Sequence, residues 1–560
     1  MKFSSILMAV LVCSTWLVGC GGGHSQSQAS PVVVISPPTP TPEPAVIQRP
    51  EPIENGVSIS GLVTYDSVPH DADGGLDYAG TQIKPVRGAS VYILDANDQL
   101  MAFVHTDAQG QYHAQVKPNT LVKVRVRAEL YSEGTPGWVF RVTDNTQNHA
   151  LYAMEGKLIN SGASDSSRDL HASSGWGAMQ YVSTRTAAPF AILDAAYMAL
   201  QQILLADAAI RLEPVELRWS PHNIPVSGSR QDGAIGTTFY EPSSNSVYIL
   251  GKENDDADEF DTSVILHELA HYIEDTLSRT DSLGGMHRLD DALDMRLAFS
   301  EGLANGFAGY VSEDGRYADA SGPQQALGYT FTLEDNNIGN PGWFNENSIG
   351  KIIYDIADAN NDNSDILALG FSPILQTLRS PTYKNSPALT SIYLFSDVFR
   401  QEQNLAAQTG LDLLLEAEFI FGTGIYGEGE SNSSVYNISS ALPVYVPLQQ
   451  GETVNVCSNN RAGEFNGLDV RRFIRFSISA SADYNFQMQT TLGTGDKDPD
   501  AIIRQRGRSV ALLNSDTLHH ESQTIHLEAG DYVLEVFDLF NVEDRIEGDG
   551  GSACFDVSLQ

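Results

Sequence analysis

His267 and His271 stand four residues apart in Val264-Ile265-Leu266-His267-Glu268-Leu269-Ala270-His271-Tyr272-Ile273, with Glu268 beside the first of them. On a helix, residues four apart share a face, so both imidazoles can reach one ion. A zinc ion that activates water needs three protein ligands and one open position, so two histidines call for a third group. Ala298-Phe299-Ser300-Glu301-Gly302-Leu303-Ala304-Asn305 offers Glu301, thirty residues beyond His271, in a stretch of helical character. Glu268, next to the first ligand, then has the place of a general base that takes a proton from the bound water. The chemistry is metal-assisted attack of water on a polarised carbonyl. An oxyanion formed in such an attack needs a further donor. Tyr354 and His287 are the candidates, with a packing tyrosine and a surface histidine as the plain alternatives.

The elements around these residues must hold them still. Val264, Ile265, Leu266, Leu269 and Ile273 predict a buried helix. Asp255, Asp256, Asp258, Glu259 and Asp261 crowd its expected N-terminus, where the helix dipole favours negative charge. Ser246-Val247-Tyr248-Ile249-Leu250, just upstream, is expected to be an edge strand able to pair with an extended peptide. Pro189 to Leu205 predicts another long helix, with Ile192, Ala195, Ala199 and Ile203 near helical spacing. Before and after this helical middle, short runs alternate as strands do. Examples are Ser58–Tyr65, Ala89–Leu94 and Gly110–Val116 on one side, and Phe473–Ile478 and Asp531–Phe537 on the other. Asp358-Ala359-Asn360-Asn361-Asp362-Asn363-Ser364-Asp365 has alternating oxygen ligands, so calcium is a possible second cofactor. It lacks the sixth-position Gly and twelfth-position Glu of an EF-hand, and a solvated acidic turn is the plainer expectation.

With 560 residues the chain is too long for one core, and three or four domains are expected. Lys+Arg number 33 against 71 Asp+Glu, a formal net charge of −38. A surface so acidic repels nucleic acid and anionic lipid, which excludes both as expected partners. The charge says nothing direct about the substrate, for which a protein or peptide is expected from the resemblance given below, and the oligomeric state is left open.

Met1-Lys2 followed by the apolar run Phe3 to Val18 predicts a secretory signal over 1–19. Leu17-Val18-Gly19-Cys20 resembles a bacterial lipobox, a resemblance that implies a lipid on Cys20. Gly21 rather than Asp at the next position implies sorting to the outer membrane, so the expected location is the cell envelope. Membrane contact is expected only through that anchor. Residues 20–54, rich in Gly, Ser and Pro, read as a disordered tether with a reach on the order of 100 Å. Of the four cysteines, Cys13 leaves with the signal and Cys20 carries lipid. Cys457 and Cys554 remain, and in an oxidising compartment they are expected to form a disulfide, two buried thiols being the alternative.

Glu301 on a helix that follows His267-Glu268-x-x-His271 resembles the gluzincins, the thermolysin-like peptidases. Phe260–His267, Gly284-Gly285-Met286-His287, Leu293–Gly302 and Gly342–Ser348 resemble a family of secreted gluzincin-like bacterial lipoproteins. The resemblance implies a zinc metallopeptidase with His267, His271 and Glu301 as ligands and Glu268 as base. The thermolysin group has an acidic residue four positions after the glutamate ligand to orient a histidine; Asn305 stands there in this chain. Pro85–Val91 and Thr106–Tyr112 resemble the carboxypeptidase regulatory-like domain, and the strands near the C-terminus resemble the pre-peptidase C-terminal domain. The implied architecture is multidomain. An α+β zincin-type catalytic domain over 131–440 is flanked by a transthyretin-like β-sandwich over 55–130 and a jelly-roll-like β-sandwich over 441–560. Rival expectations are a zincin scaffold that acts as a surface binding protein and a zinc hydrolase for a non-peptide amide or ester.

Overall fold

A computed structural model describes residues 53, 55–312, 315–334, 339–360, 365–542 and 551–560. The expected signal, the lipid site Cys20 and nearly all of the tether lie outside the described residues, as do 361–364 of the acidic turn. The molecule is β-rich and multidomain, with several helices between its sheets.

The alternating runs become strands because every second side chain meets the core. In Gln111–Val116, for instance, Tyr112, Ala114 and Val116 are buried and their neighbours exposed. The principal sheet has ten strands. Its main path runs Phe239–Glu241, Ser246–Ile249, Val215–Trp219, Trp138–Asp144, Leu121–Ser132, Ala89–Asp95, Leu100–His105. Val215–Trp219 is parallel to both of its neighbours, whereas Phe239–Glu241 is antiparallel at the end of the path.

The division expected at 130/131 falls inside the strand Leu121–Ser132, which pairs with Ala89–Asp95 and with Trp138–Asp144. Val91, Val126, Phe140, Leu217 and Leu269 belong to one core, so the N-terminal strands and the central helices share their interior. Strand alternation is a local signal and cannot report that one sheet continues through the next segment.

Four helices matter for the site. They are α1 (Ala188–Ala206), α2 (Thr262–Leu277), α3 (Met295–Ser312) and α4 (Glu346–Ala357). α1 packs Ile192, Ala195, Ala199 and Ile203 into the common core. It is long and apolar enough to cross a membrane, but 61% of its window is buried inside the protein. α3 and α4 cross closely because Gly302, Gly306 and Gly350 remove side chains from the contact. A Cβ on Gly302 would stand 2.5 Å from the Cβ of Ile349, and one on Gly306 would stand 2.7 Å from the Gly350 carbonyl oxygen.

The C-terminal part has its own core of Ile474, Phe486, Leu534 and Phe555, among others, between a five-stranded and a four-stranded sheet. Cys457 and Cys554 face each other across the paired strands Thr453–Ser458 and Ala553–Leu559 and form a disulfide.

Candidate metal centre

α2 turns Val264, Ile265, Leu266, Leu269 and Ile273 into the core and leaves His267 and His271 one above the other on a second face. Their Nε2 atoms are 3.1 Å apart. α3 packs across α2 and brings Glu301 between them. Its Oε2 lies 3.0 Å from His267 Nε2 and 3.4 Å from His271 Nε2. One ligand atom from each of the three residues falls within 4.8 Å of the other two.

The outer ring nitrogens have partners of their own. His267 Nδ1 lies 2.9 Å from the Asn305 side-chain oxygen, so of the two histidines it is His267 that Asn305 contacts. His271 Nδ1 lies 3.4 Å from the Ser300 hydroxyl, which donates to Glu274 at 2.6 Å. Burial by itself would lower His271, but Glu301, with Glu268 and Glu274 behind it, holds it up at about 9. Burial would raise Glu301, yet His287 and His271 hold its carboxyl well below the usual range. Burial pushes Glu274 up to about 7.

Glu268 is fully buried, and its Oε2 accepts the Tyr240 backbone N–H at 2.7 Å. Tyr240 is the middle residue of the outermost strand, Phe239–Glu241. Ser246–Ile249, expected at the edge, is instead flanked on both sides by Val215–Trp219 and Phe239–Glu241. The strand Phe239–Glu241 is three residues long and sits between a turn-rich segment and Pro242, so its hydrophobic pattern is too short to read.

His287 is not on the surface. It is buried, with Nε2 3.1 Å from Glu346 Oε2 and 3.6 Å from Glu301 Oε2. Burial would lower it, but Glu346 and Glu301 raise it to about 10. Glu346 was not singled out in the sequence. Its only signal was its place in Gly342–Ser348, where Asn345 caps α4 by accepting the Ser348 N–H at 3.0 Å. Tyr354 lies two helical turns further along α4 and donates to Glu334 at 3.0 Å, so the structure does not bring it to the histidines. Tyr317, also missed, stands edge-on to His267 with ring centres 6.2 Å apart, and stacks on Phe331.

The acidic residues before α2 have other uses than the helix dipole. Glu259 binds Arg185 at 2.6 Å and Trp219 Nε1 at 3.2 Å. Asp261 meets His70 at 2.8 Å and accepts the Ala320 N–H at 2.9 Å, and its side chain makes no cap bond to α2. Asp256 and Asp258 gather with Asp319, one oxygen of each within 4.8 Å of the others. Burial raises all three, Asp256 to about 6 even though a hydrogen bond with Asp258 lowers it, and repulsion from the neighbouring acids adds to the rise.

No protein-family model matches the chain, and no curated protein is similar to it. Among solved structures, it is similar to the pre-peptidase C-terminal domain of a collagenase from Bacillus anthracis. The identity is 12% over 21% of this chain and 94% of that one, with a TM-score of 0.16. A periplasmic inhibitor of g-type lysozyme from Aeromonas hydrophila matches at 12% identity over 21% of this chain and 97% of that one, TM-score 0.13. A β-glucosidase from Paenibacillus barengoltzii matches at 9% identity over 76% of this chain and 42% of that one, TM-score 0.14.

Proposed function

We propose that the chain is a zinc metallopeptidase with His267, His271 and Glu301 as metal ligands and Glu268 as general base. The observation that carries this reading is the convergence of two imidazole Nε2 atoms and one carboxylate oxygen to 3.0–3.4 Å. Ligand atoms of a tetrahedral zinc, each about 2.0–2.2 Å from the ion, stand about 3.3–3.6 Å apart. The donor set of two imidazoles and one carboxylate suits zinc and leaves one position for water. When bound, zinc supplies a Lewis acid that lowers the pKa of its water and polarises a carbonyl.

The chain's own residues do the rest. Asn305 fixes the His267 ring so that Nε2 faces inward. Glu268 follows His267 directly on α2, and the Tyr240 N–H holds one of its oxygens. It takes the proton of the attacking water and returns it to the leaving amine. The order of elements supports a zincin-type α+β domain. Parallel strands end in an antiparallel edge, then come a helix with both histidines and a second with the glutamate. The lipid on Cys20 and a cell-envelope location belong to the same proposal.

One observation favours a second reading. Glu268 is fully buried and its Oε2 takes the Tyr240 N–H, so an extended peptide adding to this edge would find that donor engaged. A smaller amide or ester substrate would not need it.

The test is metal content together with cleavage of a mixed peptide library. Wild type is expected to hold zinc and cleave, and Glu268→Gln to hold zinc with cleavage at least ~100-fold slower. Metal-free wild type refutes the reading. Zinc retained without peptide cleavage in either protein favours the scaffold or non-peptide readings.

A further inference from the structure

We propose that Glu301 is shared by two metal ions, the second held by His287 and Glu346. This rests on the metal site proposed above and extends it to a two-ion centre. His287, Glu301 and Glu346 are 6%, 2% and 3% exposed, and one ligand atom of each falls within 4.8 Å of the other two. The His287–Glu301 separation, 3.6 Å, matches the spacing of ligands on one ion, and the His287–Glu346 separation, 3.1 Å, is as short as that between the histidines of the first site.

The hydrogen bonds of His287 point the same way. Its Nδ1 lies 3.1 Å from the Gly285 carbonyl oxygen, which can only accept, so the ring's proton belongs on Nδ1. Nε2 of the neutral ring then presents a lone pair to two carboxylate oxygens. Three acceptors facing one another require a cation between them, either a proton or a metal ion. His267 has the same arrangement, with Nδ1 against the Asn305 oxygen and Nε2 against Glu301. A histidine that gives its outer N–H to a carbonyl and keeps its inner nitrogen for the ion is the usual metal ligand.

Charge argues further for a metal. Glu268, Glu301 and Glu346 are all buried around these three histidines. Their three formal negative charges exceed the two positive charges of one divalent ion, and a second ion offsets the excess. Uncompensated charge at such depth is costly. The loop that delivers His287 is built for one position. Gly284 and Gly285 have φ of +62° and +104°, and Asn466 of the C-terminal part donates to the Met286 carbonyl at 2.9 Å and the Gly284 carbonyl at 3.3 Å. Two ions bridged by one carboxylate give a second Lewis acid for the carbonyl or the leaving group.

The full-length protein, stripped with chelator and then dialysed against zinc alone, is assayed for metal per chain by elemental analysis, with circular dichroism to verify folding. Wild type is expected to bind two equivalents, H287A and E346Q one each, and E301Q none that survives dialysis. Cobalt in place of zinc gives an independent readout. The second equivalent should quench the paramagnetic signal of the first in wild type and not in E346Q. One equivalent in wild type, or two retained by folded H287A and E346Q, overturns the shared centre while leaving the first site intact. No metal in wild type overturns the first site as well.

Discussion

At the scale of single residues, the site depends on which ring nitrogen faces inward. Asn305 sets this for His267 through a 2.9 Å contact, and its side-chain oxygen does so without charge. Asn305→Ala is expected to weaken zinc binding by about 10- to 100-fold, measured by chelator competition. Asn305→Asp should recover most of it, since a carboxylate accepts the same hydrogen bond more strongly. The three crowded aspartates give a pH prediction. Asp256, Asp258 and Asp319 titrate higher in the folded protein than the ~3.9 of a free aspartate. The folded state therefore holds protons that the unfolded chain has lost, and this cluster subtracts stability as pH rises from about 4 through about 6 and beyond. In the presence of chelator, Asp319→Asn should raise Tm relative to wild type at pH 7.5, and the gain should shrink towards pH 4.5. A gain that does not depend on pH would contradict this.

At the scale of elements, the position of Glu301 follows from how closely α3 approaches its neighbours. Gly302 lies next to the ligand and faces Ile349, with Glu346 one turn earlier on α4. A methyl group on Gly302 would sit 2.5 Å from the Ile349 Cβ, well inside contact distance, so α3 and α4 must separate. Gly302→Ala should cost about 1–3 kcal/mol in chemical denaturation. The same variant should lose zinc affinity at temperatures where it is still folded, because Glu301 moves away from α2. The backbone bond from Tyr240 to Glu268 is a second link of this kind, tying the outermost strand to the proposed base.

At the scale of the whole molecule, the C-terminal sandwich is joined to the site through a buried charge network. Arg296, on α3 and five residues before Glu301, is fully buried and makes paired bonds to Asp294 at 2.8 Å and to Glu535 at 2.9 and 3.1 Å. Arg471 and Arg504 bind the same Glu535 carboxylate. These arginines hold its carboxyl far below the usual range despite its burial. Removing the negative centre leaves three guanidinium groups facing one another. Glu535→Gln should therefore destabilise by about 3–5 kcal/mol, read by denaturant unfolding. Because Asn466 and Asp294 both lie at this junction, the variant should also lower metal occupancy.

Some of this was legible in the chain. The helix face shared by His267 and His271, the helical setting of Glu301 and the alternating strands follow from backbone periodicity, which acts within a few residues, and the Cys457–Cys554 pair from the oxidising compartment that the signal implies. His287 was visible as a residue but not as a buried one, and Glu346 only as a member of the segment Gly342–Ser348. Their meeting, 59 positions apart, depends on a glycine turn docked against the C-terminal part and on the α3–α4 crossing. The edge strand, the partners of Glu259 and Asp261, and the sheet that runs through residue 130 were likewise decided by packing. Local sequence determines which face a side chain occupies. Only the assembled core determines what that face meets, because that choice is settled by burial and charge compensation between segments that the sequence keeps far apart.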